Sequence, residues 1–145
     1  MSASRETIFA ALFDVLQNAY PWVTCSRRLE NIQDLSPNVF PAAYQLQGNQ
    51  ALKYQGVTPT VGTWDATWLL YSYSDDPRVA PSTPLNAMVD AVLAALKPND
   101  GPVLRNTLGG LVEYAAAEGN IEIFEGVLGD RALAIVPIKI LVPGF

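Results

Sequence analysis

The segment Leu133–Val142 constrains the fold of this chain more than any other stretch. Every second residue in it is apolar and mostly β-branched, which predicts a strand with one fully buried face. The residues between them include Pro137 and Lys139, so the opposite face is mixed. A strand with one dry face needs another layer of structure packed on it. The face predicted to be buried consists of Ala134, Val136, Ile138, Ile140 and Val142.

The residues before this strand predict two more strands and two turns. Leu111–Ala117 and Ile121–Phe124 are the strand candidates, and Glu118–Asn120 between them is rich in residues that tolerate positive φ. Leu128–Arg131 predicts a second turn, so the three strands are expected to form a meander. Because Pro137 has no N–H to donate, the last strand is expected to be an edge or to carry a bulge at that point.

Two amphipathic helices are available to cover the buried face. Ser4–Ala19 carries apolar residues at helical spacing, and Ser4 is the predicted N-cap. The second helix is predicted to begin with Thr83 as its cap and Pro84 at the first helical position. It is expected to run to Lys97 and to end in the proline- and glycine-containing segment 98–102.

Three strand candidates lie between the helices. They are Trp22–Ser26, Val39–Gln47 and the long run Thr60–Ser74, which is expected either to bend near Gly62 or to leave the sheet as an arm in its first half. The polar stretch Gln47–Pro59 predicts a loop or mobile hairpin tip. The order of elements predicts a single α+β domain over residues 1–145. We expect a mixed or mainly antiparallel sheet with both helices on one face, and a flexible loop or arm near 47–59.

Charge and cysteine content exclude several classes of function. The formal net charge is −5 with nine Lys and Arg residues, which disfavours gripping nucleic acid through its phosphates. The single cysteine, Cys25, cannot form an internal disulfide. The polar opening residues predict no signal peptide, and no apolar run is long enough to span a bilayer.

The sequence contains no histidine, which removes the commonest general base and metal ligand. Ser-His-Asp, Cys-His and Cys/His zinc sites are therefore excluded within one chain, and neither a cofactor nor a metal is predicted. A small ligand-binding or enzymatic α+β domain would rely on tyrosines or on carboxylates without a recognisable spacing, so it ranks far behind. These carboxylates are Asp65, Asp75, Asp76 and Glu113.

A series of short motifs accompanies these elements. After the N-terminal amphipathic helix come Ser26-Arg27-Arg28, Phe40-Pro41-Ala42, Asp75-Asp76-Pro77, Ser82-Thr83-Pro84-Leu85-Asn86, Thr107-Leu108-Gly109-Gly110 and Ala134-Ile135-Val136-Pro137-Ile138. In this order the chain resembles small tail-completion proteins of tailed bacteriophages, above all the tail terminator (tail-to-head joining) proteins of long-tailed phages. The resemblance covers nearly the whole chain, and none of its motifs is a catalytic signature.

The resemblance implies a structural virion protein without enzymatic activity. Such proteins form a homohexameric ring on the end of the tail tube, stop its polymerisation and present a surface to the neck of the capsid. The implied partners are other copies of the chain, the tail tube protein, a neck or head-completion protein, and double-stranded DNA that passes through the lumen without specific binding. No membrane is involved, and the protein would reside in the virion and, during assembly, in the host cytoplasm. Another neck or minor tail component, such as a stopper, connector or tube protein, remains the alternative.

The physical character of the chain is compatible with this role. An acidic ring would repel phosphate and let DNA slide, and the 47–59 arm could become ordered on contact with ring or tube. Arg27 and Arg28 have two interpretations, a solvated turn or an inter-subunit salt bridge. Aromatic residues and arginines are favoured at protein interfaces. The candidates for a subunit or tube interface are Arg27, Arg28, Tyr54, Tyr71, Tyr73, Arg105 and Arg131.

Overall fold

The computed structural model describes residues 4–97, 105–125 and 129–144. Within these residues the protein has two α-helices and a six-stranded sheet. The helices are α1 (Arg5–Ala19) and α2 (Ser82–Ala95). The strands are β1 (Thr24–Ser26), β2 (Ala42–Gln55), β3 (Thr58–Tyr73), β4 (Tyr114–Ala117), β5 (Glu122–Phe124) and β6 (Arg131–Pro143).

The sheet is open and mixed, in the order β1-β2-β3-β6-β4, with β5 also paired to β6. Only the β1–β2 pair is parallel, and all the other pairs are antiparallel. The central pair is β3 with β6, which stay in register from Val61 opposite Pro143 to Tyr73 opposite Arg131. The predicted α+β fold with a mixed, mainly antiparallel sheet is confirmed.

One face of the central pair forms the main core. The alternate β6 residues predicted to be buried are all at most 1% exposed, and on β3 the same face presents Trp64, Ala66, Trp68 and Leu70. The prediction for β6 is therefore confirmed, because a period of two places every second side chain on the same side of the sheet.

Both helices cover this same face, as predicted. The buried stripe of α1 consists of Ile8, Phe9, Leu12 and Leu16, and that of α2 consists of Leu85, Met88 and Val92. Ser4 caps α1 by accepting a hydrogen bond from the Thr7 backbone N–H (3.2 Å). A buried carboxamide then ties α1 to the sheet: Trp68 Nε1 donates to Gln45 Oε1, and Gln45 Nε2 donates to the Phe9 carbonyl, both at 2.9 Å. Because each of these polar groups has a partner, its burial carries little penalty.

The second face of the sheet has a small core of its own at one end. The segment between β1 and β2 folds over it with two 3₁₀ turns, Ile32–Asp34 and Pro37–Val39. The sequence predicted no packing for this segment, and it predicted a strand beginning at Val39. That strand begins instead at Ala42, after a cis Phe40–Pro41 bond. The buried residues of this second core are Ile32, Leu35, Ala42, Tyr44 and Tyr71.

The polar stretch Gln47–Pro59, predicted to be a loop or mobile hairpin tip, is a β-hairpin, so the loop alternative is wrong and the hairpin alternative agrees with the structure. Residues 47–55 belong to β2 and 58–59 to β3, and the turn between them contains Gly56 at φ 63°. A register shift between Gln47 and Gln50 marks a β-bulge, next to which β2 continues as far as Gln55. The ends of β2 and β3 project together beyond β6 and form an arm. The first half of the predicted strand Thr60–Ser74 does not leave the sheet, because β3 pairs with β6 from Val61 onward, so that alternative is wrong.

The predicted C-terminal meander is also corrected. Strands β4 and β5 do not pair with each other but follow one another along the same side of β6. The residues between them, predicted as a hairpin turn, form a break in this outer strand opposite Pro137. The Glu118 N–H donates to the Pro137 carbonyl (3.1 Å), so the missing N–H of Pro137 points toward this break. A side chain at Gly119, whose φ is 120°, would lie 3.2 Å from the Pro137 ring.

Several predicted boundaries shift by a few residues. The first strand is shorter than Trp22–Ser26, and β4 begins at Tyr114 because residues 108–113 form turns. Helix α2 begins at Ser82, so Thr83 is not its cap. A carboxylate oxygen of Glu125 accepts a hydrogen bond from the Ser82 N–H (2.7 Å). It satisfies one of the backbone N–H groups at the start of α2, as a capping side chain would. The predicted helix end at 98–102 and residue Leu128 of the second turn lie outside the described residues.

We expect Val136→Ala to lower the free energy of unfolding by about 2 kcal/mol, because it removes two buried methyl groups and leaves a cavity. Val136 is 0% exposed, whereas Val57 at the end of the arm is 94% exposed. Val57→Ala is thus a matched control, with an expected change within about 0.5 kcal/mol. Urea unfolding of both variants measures the difference, and equal effects would contradict the assignment of β6 to the core.

Candidate functional site: the arm and the sheet edges

The arm formed by residues 48–60 carries exposed apolar side chains far from both cores. Leu52 is 44% exposed, Tyr54 60% and Val57 94%. At its base, a side chain on Gly48 would approach Asp65 Cβ to 2.9 Å, so the bulge requires glycine at this position. Apolar groups presented on a two-stranded projection can make contacts with another protein, whereas they add little to the stability of the monomer.

Two arginines fasten the base of the arm to the first turn of α1. Arg27 forms a two-pronged contact with the Glu6 carboxylate (2.6 and 3.2 Å) and donates to Gln47 Oε1 (3.0 Å). Arg5 donates to Gln50 Oε1 (2.8 Å), and its guanidinium lies 5.1 Å from the centre of the Trp64 ring. Gln47 and Gln50 flank the bulge, so these contacts set the direction in which the arm leaves the sheet.

The structure places the predicted interface arginines in different settings. Arg27 and Arg105 form ion pairs inside the chain, the latter with Glu113 at 3.0 Å. Arg131 donates to the Ile32 carbonyl and lies 5.1 Å from the Phe40 ring, so it holds the second core in place. Arg28 is exposed. Of these four arginines, Arg28 best fits the surface that the prediction requires.

The predicted interface tyrosines are also separated. Tyr54 lies on the arm, whereas Tyr71 is 3% exposed and belongs to the second core. The Tyr71 hydroxyl donates to the Glu30 carbonyl (2.9 Å), and burial raises the pKa of Tyr71 to about 12. Tyr73 is half-buried and stacks on Phe40 with ring centres 5.8 Å apart. Tyr71 and Tyr73 therefore support the fold at this end of the sheet.

Two edges of the sheet carry exposed apolar residues that were not among the predicted interface residues. Val23 and Leu29 flank β1 and are 60% and 44% exposed, and at the opposite edge Ile123 and Phe124 of β5 are 45% and 44% exposed. Only the order of the strands shows that these segments are edges. The signal available in the sequence was weak: both strands are short, and their apolar residues are single or paired.

The carboxylates considered for chemistry do not form a catalytic group. Asp65 pairs with Lys139, Glu113 pairs with Arg105, and Asp76 accepts from the Arg78 N–H (2.9 Å). Among residues 4–97, 105–125 and 129–144, no group of three or more His, Cys, Asp or Glu side chains could hold a metal ion. Ion pairs of this kind hold the carboxylates in local structural contacts.

Two depressions lie at the end of the sheet near the second core. One has a volume of about 140 Å³ and is lined mainly by aromatic and proline side chains, among them Tyr20, Phe40 and Tyr73. The other, of about 400 Å³, is an open surface hollow next to Asp75, Asp76 and Asp130. Pockets that bind small molecules commonly enclose about 300–1,000 Å³ of mostly apolar space. The first depression is smaller than this range, and the second is open and acidic.

No protein-family model matches the sequence, and no curated protein matches it. The resemblance to phage tail terminators therefore stays a hypothesis that rests on the motifs described above. Within the described parts of the chain, no helix combines the length and the apolar character that crossing a bilayer requires.

The contact between Glu6 and Arg27 predicts a dependence of stability on pH. The hydrogen bond that the Glu6 carboxylate accepts from Arg27 lowers the pKa of Glu6 from the ordinary value of 4.5. Because the pKa is lower in the folded state, the carboxylate stabilises the protein above pH 4.5, and this contribution is lost as the pH falls through the folded-state value.

We therefore expect Glu6→Gln to unfold at a lower urea concentration than the wild type near neutral pH, with a difference that shrinks below pH 4.5. Urea unfolding across this pH range makes the comparison. Asp14→Asn, which alters another exposed carboxylate of α1, is the matched control and should leave the neutral-pH stability nearly unchanged. A Glu6→Gln effect that is independent of pH would show that the carboxylate charge is not responsible.

Proposed function

We propose that this protein is a structural component of a tailed bacteriophage, of the tail-terminator type. It forms a homohexameric ring on the end of the tail tube, ends tube polymerisation and joins the tail to the neck while DNA passes through. It acts in the virion, after assembly in the host cytoplasm. The observation that carries the proposal is the projecting arm, whose exposed apolar side chains suit contacts with other protein subunits.

The position of the arm supports a role in assembly. Tyr54 and Val57 lie beyond the last β3–β6 pair, Val61 with Pro143, and Leu52 lies beside the end of β6, opposite Gly62; all three side chains are exposed. Arg5 and Arg27 hold the base of the arm, so the arm leaves the sheet in a fixed direction while its tip stays exposed. An element of this kind can reach a neighbouring subunit or the tube without disturbing the core.

Charge supports the same role. With a net charge of −5, a ring of several copies would surround its lumen with excess negative charge. DNA phosphates would be repelled rather than held, so the duplex could slide. The intrachain ion pairs of Arg27 and Arg105 further reduce the basic groups available to bind phosphate.

Two other functions are weighed against this one. The arm and the acidic charge would also suit a stopper, connector or tube protein of the same neck. Such a protein would differ from a terminator in its place in the virion. A small ligand-binding domain finds little support, since the enclosed depression has a volume of only about 140 Å³.

We expect the purified protein to assemble into a discrete ring. Native mass spectrometry should give a species near six times the 15.7 kDa chain mass, and negative-stain images of the same sample should show a central hole. If assembly waits for a tube end, the protein should instead bind the ends of purified tail tubes. A protein that stays monomeric and does not bind tube ends would contradict the proposal.

We expect the double substitution Leu52→Ser and Val57→Ser to weaken assembly or tube binding by about tenfold or more, because it removes exposed apolar contacts on the arm. The fold should be unaffected, since both side chains are largely exposed, at 44% and 94%. Val79→Ser is the matched control, because Val79 is 40% exposed on a turn away from the arm. Circular dichroism checks the fold, and equal assembly of all variants would remove the arm from the contact surface.

A further inference from the structure

The sheet ends in two open edges on opposite sides. Strand β1 pairs only with Ala42–Tyr44, so among the described residues no strand pairs with the outer side of β2 from Gln45 to Gln55. On the other side, β4 and β5 lie end to end along β6. The outward Ala115 N–H of β4 donates to the Asn106 carbonyl (2.8 Å), whereas no described strand pairs with the outer side of β5. Open edges present free N–H and C=O groups to any strand that reaches them.

Exposed apolar residues are concentrated at these edges. Of the eight large hydrophobic side chains of the described residues that are exposed, four lie at the two edges and three on the arm. The remaining one is Val79, on the turn before α2. A random scatter would place several on the helices, so the distribution marks the edges as contact surfaces. The four edge residues are Val23, Leu29, Ile123 and Phe124.

The directions of the edge strands, and their positions along the strand axis (their height in the sheet), make the two edges compatible. Through the ladder of antiparallel pairs, β1 and β2 run opposite to β4 and β5. If a second copy repeats the first head to tail without inversion, its β1–β2 edge meets the β4–β5 edge in antiparallel orientation. The edges also match in height along the sheet, through the successive cross-strand partners Ser26, Tyr44, Leu69, Ile135 and Glu122.

Charge is complementary across the two edges. Ser26 at the end of β1 lies level with Glu122, and the exposed Arg28 follows two residues later, toward the break between β4 and β5. The exposed Glu118 precedes Glu122 in the break between β4 and β5. Placed side by side, the edges would bring a guanidinium against carboxylates, an arrangement that sets partner and register.

We propose that β1 of one copy adds in antiparallel fashion to the outer side of β5 of a second copy, with Ser26 opposite Glu122 and Arg28, two residues further on, close to the Glu122 carboxylate. The apolar residues around β1 pack against Ile123 and Phe124. This inference rests on the proposed function in taking the partner to be another copy of the chain, and it adds the surfaces that close the ring. Since the two edges differ, the contact is heterologous, and its repetition leads to a ring or a filament.

Charge reversal tests the pairing. Arg28→Glu or Glu122→Arg alone should weaken self-association by about tenfold or more, because each brings like charges together across the junction. The combination of both substitutions in one chain restores opposite charges and should return the association constant to within about threefold of the wild type. Sedimentation velocity over a range of concentrations measures the association of each protein.

Matched charge reversals away from the edges serve as controls. Asp90→Arg lies on the exposed side of α2, and Arg78→Glu lies on the turn before it, where the Arg78 side chain is 91% exposed. Neither should change self-association, and circular dichroism should show the same fold for all variants. Because the double substitution also restores the wild-type net charge, unchanged association of these two controls is the result that excludes a general effect of net charge.

The outcomes separate this inference from the proposed function. A ring that is unaffected by the single reversals, or that the double substitution does not rescue, overturns the edge pairing and leaves the ring proposal standing. Open filaments that depend on Arg28 and Glu122 support the pairing but oppose the ring. A wild-type protein that never self-associates overturns the pairing, and its binding to tube ends then decides the proposed function.

Discussion

The fold depends on the pairing of β3 with β6, which remain in register along nearly their full length. Each of these strands has neighbours on both sides, and together they present the main buried face of the sheet. The helices are held against this pair by Phe9, Trp64 and their neighbours, with the two rings stacked 5.5 Å apart. The arm and the edges depend on the same pairing. The tip of the arm is the part of β2 and β3 that lies beyond the last β3–β6 pair, and each edge lies one or two strands away.

Residues with a periodic burial pattern could be predicted from the sequence. The alternation along β6 and the helical spacing in α1 report directly which side of each element faces the core. The arm could not be predicted in this way. Its residues are exposed on both faces, so no alternation marks them as strand, and the segment 47–59 reads as polar loop. Its strand structure comes from hydrogen bonding between β2 and β3, which local patterns do not reveal.

The candidate surface was harder to predict than the fold. A sequence indicates that an arginine is polar but not which carboxylate or carbonyl it will meet, and Arg27 and Arg131 both find intrachain partners distant in sequence. Tyr71 lies on the face of β3 opposite the main core, and it is buried there because the segment around Ile32 and Leu35 folds over it. An edge is a property of strand order. Since strand order depends on long connections, β1 and β5 could not be recognised as edges from their own residues.

The charges at the two edges bear on the symmetry of any assembly. If two copies met through the same edge, related by a twofold axis, each junction would gather charges of one sign: Arg28 of both copies at the β1 edge, and Glu118 and Glu122 of both copies at the β5 edge. Like charges directly opposite each other on paired strands are destabilising. Pairing of unlike edges avoids both repulsions and covers the exposed apolar residues at each side, which would otherwise favour aggregation. In the proposed assembly, these charges disfavour the pairing of two identical edges and favour a head-to-tail contact. A closed ring of more than two subunits requires a contact of this type.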